Sequence, residues 1–138
     1  GFAESSHDIG RGFEVVAVDF SDVLASFKLQ NANVRYMGMN LDEAWVDRLM
    51  PESFDVAVCL EILEHLLRDY DFLCNVRRIL KPSGYMIVSV PLKDNMTIDD
   101  HPLRYFPKFS LLKLLRDAGY SKIELIEGQN SLLGVASV

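Results

Sequence analysis

The chain has 138 residues, 49% of them hydrophobic, and carries 14 Lys and Arg against 20 Asp and Glu, for a net charge of -6. This composition suits one globular domain with a single sheet-and-helix core; with no basic cluster longer than Arg77-Arg78, nucleic acid is not favoured as a partner. Cys59 and Cys74 lack the spacing of a metal pair and read as reduced thiols, and neither a hydrophobic leader nor a membrane-length apolar run is seen, so a cytoplasmic protein with no membrane partner is predicted.

Along the chain, Phe13 to Val18 is a short β-branched run ending in Asp19, and Ser21 offers a cap for a helix over Asp22 to Leu29. Asn33 to Met39 reads as a second strand, Glu43 to Met50 as a weak amphipathic helix, and Pro51-Glu52-Ser53 as a turn before a strand at Phe54. Leu66 to Leu80 predicts a helix with Leu67, Tyr70, Leu73, Cys74, Val76, Ile79 and Leu80 near one face, closed by a turn at Lys81-Pro82-Ser83-Gly84. Met86 to Val90 is strand-like, and a polar loop runs from Lys93 to Pro107. A helix over Ser110 to Ala118 is stopped by Gly119, and strands follow at Lys122 to Glu127 and Leu132 to Val138. Alternating helices and apolar strands imply a parallel sheet covered on both faces. Only Gly128 to Ser131 separates the last two strands, too little for a helical crossover, so they are expected to pair as an antiparallel hairpin at the sheet edge.

The segment Phe54 to Leu66 runs a strand directly into Glu61, Glu64 and His65. In an open α/β sheet, ligands sit at the carboxyl ends of strands. With the Leu80-Lys81-Pro82-Ser83-Gly84-Tyr85 turn, the strand after it and the terminal hairpin, this pattern resembles class I S-adenosylmethionine-dependent methyltransferases. The resemblance implies a Rossmann-like α/β fold, mostly parallel with a C-terminal antiparallel hairpin, over 1–138 as a single partial domain. It also implies an N-terminal truncation. Family members begin with a strand and a glycine-rich loop, Gly1 falls where the last glycine of that loop belongs, and the strand before it would lie between those ending at Asp19 and Cys59.

The implied cofactor is S-adenosyl-L-methionine. Asp19, at a strand end, can accept both ribose hydroxyls, or it can be a turn or capping residue. Phe20 lines the adenine edge or packs under the next helix. The adenine position aligns with Asn40, whose amide oxygen can accept where the family commonly has an acid, with the Leu41 amide beside it; Asp42 is the alternative, and both can be loop residues only. Leu60, Glu61 and Ile62 would run beneath the cofactor.

Glu61, Glu64 and His65 stand at i, i+3 and i+4 and share a face if a helix starts there. That face can orient the helix, supply His65 or Glu64 as a base toward an acceptor hydroxyl, or join His101 in holding a divalent metal. The metal reading, which resembles the small-RNA 3′-end and ubiquinone-pathway branches of the family, is possible but not favoured. His101, in the loop after the fifth strand, is a second base candidate or an exposed loop residue. The function implied is methyl transfer to a small-molecule hydroxyl; a nicotinamide-dependent oxidoreductase or a non-catalytic binding module are the alternatives.

Overall fold

The computed structural model describes residues 13–19, 33–92 and 106–138. It divides into two compact units, Gly1–Trp45 and Val46–Val138. In the first, β1 (Val15–Asp19) pairs parallel with β2 (Val34–Gly38), with Val15 opposite Val34 and Asp19 opposite Gly38. Parallel neighbours need a crossover. The helix predicted for it, Asp22 to Leu29, lies outside the described residues. Ala17 and Met39 are buried here, and so is Trp45.

The second unit is a four-stranded sheet in the order β3-β4-β6-β5. β3 (Phe54–Leu60) and β4 (Leu80–Pro91) run parallel, while β6 (Ser131–Ser137) lies antiparallel between β4 and β5 (Ser121–Glu127). The predicted hairpin is therefore present, with its second strand inserted and its first at the edge. An all-parallel dinucleotide-binding order is excluded for this sheet, and the oxidoreductase reading falls with it. Gly134, in the middle of β6, is tightly packed: an added Cβ would lie 3.0 Å from Leu125 and 3.1 Å from Val88, and both side chains would have to give way.

The core lies between the sheet and two helices, α1 (Asp69–Ile79) and α2 (Lys108–Asp117). β4 contributes Met86, Val88 and Val90, α1 contributes Phe72, Leu73, Val76 and Ile79, and α2 contributes Leu111 and Leu115. Gly119, at φ +98°, ends α2. Its amide donates to the Arg116 carbonyl and the Tyr120 amide to the Leu115 carbonyl, closing the helix by the left-handed route open to glycine. Tyr120 then turns inward and its hydroxyl donates to the Leu73 carbonyl at 2.7 Å.

Several sequence expectations are corrected. Glu43 to Met50 forms no α-helix, only a 3-10 turn at Val46–Arg48 that still buries Val46 and Leu49. α1 starts at Asp69 rather than Leu66, which changes the face it buries: Leu67 and Tyr70 are exposed, Phe72 is buried, and Leu80 belongs to β4. Lys81 to Gly84 does not leave the sheet. Phe54 pairs with Leu80 and Val56 with Tyr85, so these residues bulge opposite Asp55, whose carboxylate accepts from Lys81 Nζ at 3.1 Å. Gly84 is needed there for close approach, since a Cβ would sit 3.0 Å from the Asp55 and Lys81 carbonyl oxygens. Finally, along β3 burial is uneven among the described residues. Cys59 is buried, whereas Val56, Val58 and Leu60 are exposed, and β3 hydrogen-bonds only to β4 among the described residues.

Candidate functional site

The carboxyl end of β3 is built from residues 60–66. Leu60 pairs with Ser89 of β4, and Glu61 then takes φ +54°. Left-handed backbone costs a non-glycine residue about 1 kcal/mol or more and tends to collect at functional sites. The Glu61 amide donates to the Ser89 carbonyl at 3.0 Å, and its carboxylate Oε1 accepts from Ser131 Oγ at 2.8 Å. Ser131 opens β6, opposite Pro91 at the end of β4. An antiparallel strand necessarily begins where its parallel neighbours end, so the hairpin loop stands on the same rim as Glu61.

After Glu61 the chain forms a 3-10 turn, Leu63–His65, closed by the His65 amide on the Ile62 carbonyl and the Leu66 amide on the Leu63 carbonyl. The shared helical face expected for Glu61, Glu64 and His65 is therefore not formed. Three residues per turn replace 3.6, and Glu61 itself is not helical. Glu61 is exposed, Glu64 is 2% exposed, and the His65 side chain is 48% exposed. Glu64 Oε1 lies 3.6 Å from His65 Nε2. Glu64 is thus the buried member of this pair and His65 the one at the surface. Among the described residues no three His, Cys, Asp or Glu side chains are grouped to hold a metal ion; His101 lies outside them.

In the first unit, Asp19 ends β1, and its side chain lies outside the description. Gly1 and Phe20 also fall outside it. Asn40 is held in a turn: its Oδ1 accepts from the Asp42 amide at 3.0 Å, its Nδ2 donates to Glu43 Oε1 at 3.3 Å, and its carbonyl accepts from the Glu43 amide. Among the described residues Oδ1 thus accepts one bond, within the turn. Leu41 is half-buried beside it.

A profile of the methyltransferase domain matches residues 2–88, from before β1 to within β4. The chain belongs to the class I S-adenosylmethionine-dependent methyltransferase family. Among its relatives, a ubiquinone biosynthesis O-methyltransferase of Rickettsia bellii is 31% identical over 84 residues, which are 57% of this chain and 33% of that protein. The chain thus spans about a third of the length of that relative. In structure it is similar to the 1,6-didemethyltoxoflavin-N1-methyltransferase of Burkholderia thailandensis, solved with S-adenosylhomocysteine, at TM-score 0.74 and 21% identity over 97% of this chain and 65% of that one. It is also similar to the [4+2]-cyclase SpnF, at TM-score 0.78 and 12% identity over 99% and 71%. Both likenesses are of fold. Ser131 is the rim residue that reading the sequence missed, although an antiparallel last strand already implies that its first residue lies at the ligand end.

Proposed function

We propose that this protein transfers a methyl group from S-adenosyl-L-methionine to a hydroxyl of a small molecule, and that its two units belong to one methyltransferase domain in a reducing, aqueous compartment such as the cytoplasm. The observation that carries this reading is the family match, which takes in Asp19, Asn40 and the strained Leu60–Glu61 step together. The relative from Rickettsia bellii, named an O-methyltransferase, supports oxygen as the acceptor atom. Among the described residues no helix is long and apolar enough to cross a membrane.

The donor set suits the cofactor. Asp19 would accept the ribose hydroxyls, Asn40 and the Leu41 amide would meet the adenine edge, and exposed Leu60 with the Glu61 backbone would lie against the adenosyl group. When bound, the cofactor supplies a methyl carbon made electrophilic by the sulfonium. The chain supplies alignment and proton handling. His65 is the base: its imidazole is half exposed, so an acceptor can reach it, and it stands 3.6 Å from the Glu64 carboxylate. His101 is the second candidate.

Calorimetry on the full-length protein tests this. Wild type is expected to bind both the cofactor and its demethylated product, and Asp19→Ala to weaken that binding by about 1.5–3 kcal/mol, the scale of hydrogen bonds to a charged group. His65→Ala is expected to keep cofactor affinity and lose roughly 10²-fold or more in turnover, as for a general base, with activity surviving chelation. Cofactor binding without methyl transfer to any hydroxyl acceptor would favour a non-methylating use of the fold, for which the [4+2]-cyclase is a precedent. No binding of either ligand would overturn the proposal.

A further inference from the structure

We infer that Ser131 is a positioning residue for the cofactor site, acting through Glu61; this rests on the methyl-transfer reading above. Glu61 holds a left-handed backbone, φ +54°, without being glycine. Such a conformation persists only where its surroundings over-determine it. Two tethers do so here. The first is the Glu61 amide on the Ser89 carbonyl at 3.0 Å, part of the sheet edge. The second is the Ser131 hydroxyl donating to Glu61 Oε1 at 2.8 Å, from a residue 70 positions away.

Ser131 is itself well placed to act as a fixed post. It is paired opposite Pro91, its carbonyl accepts from the Gly128 amide at 2.8 Å, and the neighbouring Asn130 carbonyl accepts from the Leu92 amide at 3.1 Å. A Cβ at position 128 would lie 3.1 Å from the Ser131 oxygen, so glycine lets the hairpin close tightly behind it. The hairpin is thus anchored by backbone bonds to both strands it joins and to the end of β4, and the Ser131 side chain reaches from it across the rim to Glu61. The hydroxyl commits one carboxylate oxygen and fixes the direction of the side chain. With both ends of Glu61 held, the Leu60–Ile62 peptides are presented to the cofactor in one arrangement, so less ordering remains to be done on binding.

The test is calorimetric affinity for S-adenosylhomocysteine on the full-length protein, with melting temperature recorded beside it. Ser131→Ala is expected to weaken binding about tenfold, the effect of one hydrogen bond to a charged acceptor. Ser131→Thr, which keeps the hydroxyl, is expected to stay within about twofold of wild type. In a Glu61→Ala background, Ser131→Ala should cause no further loss, because the partner through which it acts is gone. The melting temperature of Ser131→Ala should stay near that of wild type, since the bond is exposed. Wild-type affinity in Ser131→Ala, or an equal loss with Glu61 absent, removes Ser131 from the site and leaves the methyl-transfer reading standing. Failure of the wild-type protein to bind overturns that reading and this inference together.

Discussion

Leu73, Met86, Leu111 and Leu115 are fully buried between the sheet and the two helices, while Leu60, Glu61 and His65, at the end of the same sheet, are exposed. The first group sits on regular elements whose periodicity decides which way each side chain faces. The second sits on a left-handed residue and a single 3-10 turn, held by a sheet-edge amide and a hairpin serine. Stability therefore resides below the rim, and the rim is free to carry residues that contribute little to folding. Substitutions should separate the two: interior changes should move the melting transition and leave the affinity of folded molecules alone, and rim changes should do the reverse.

The largest effect is expected at Leu73. It is fully buried, so Leu73→Ala should destabilise by about 2–5 kcal/mol, the sum of lost transfer energy and a residual cavity. In a denaturant titration this is a lower midpoint; cofactor affinity measured where the variant is still folded should match wild type. A comparable loss of affinity in the folded variant would mean that the interior and the rim are not separable.

Next comes alkaline stability. Burial pushes the Cys59 thiol up from 9.0 to about 12, and burial, with Cys59 and Cys74 nearby, pushes the Tyr120 hydroxyl up as well. Above pH 9 the unfolded chain sheds the thiol proton while the folded chain keeps it, so the unfolded state binds fewer protons and stability falls as pH rises. The contribution is intact below pH 9 and is lost between pH 9 and about 12, a change on the order of a few kcal/mol. Urea unfolding across that range should show the slope, and Cys59→Ala should flatten its lower part. A variant with the full slope would place the thiol in contact with water.

What the sequence made legible follows the same division. Strand existence, a helix over Ser110 to Ala118 (Lys108–Asp117 in the structure), its stop at Gly119 and the antiparallel hairpin were all readable, because apolar runs, glycine and a short connection act locally. The start of α1 was not readable: a 3-10 turn and an irregular segment consume Leu63 to Arg68 before Asp69, and a periodic pattern with leucines at 63, 66 and 67 does not reveal where a helix begins. The Lys81–Gly84 bulge looks like a turn in the sequence because its Pro and Gly are the same in either case; only the pairing of Phe54 with Leu80 and of Val56 with Tyr85 distinguishes them. At the site, the residue types were visible but not their directions. Whether Glu61, Glu64 and His65 share a face depends on the backbone angle at Glu61, whose amide and carboxylate are bonded to Ser89 and Ser131, partners 28 and 70 residues away.

The smallest effect sharpens the comparison using one chemistry in two settings. Tyr120 Oη donates to the Leu73 carbonyl at 2.7 Å in the interior, and Tyr70 Oη donates to the Asp117 carbonyl at 3.3 Å on the surface, each spanning 47 residues. Removing the buried hydroxyl should cost about 1 kcal/mol, the net worth of a typical intramolecular hydrogen bond. The cost goes no higher because the Leu73 carbonyl lies inside α1, where it also accepts the helical bond from four residues on, and so is not left unsatisfied. Removing the exposed hydroxyl merely returns the Asp117 carbonyl to water, and Tyr70→Phe should be indistinguishable from wild type in the same titration. Equal losses in the two variants would show that α1 and α2 are joined as firmly at their surface as in their core, and the boundary between interior and rim would have to be redrawn.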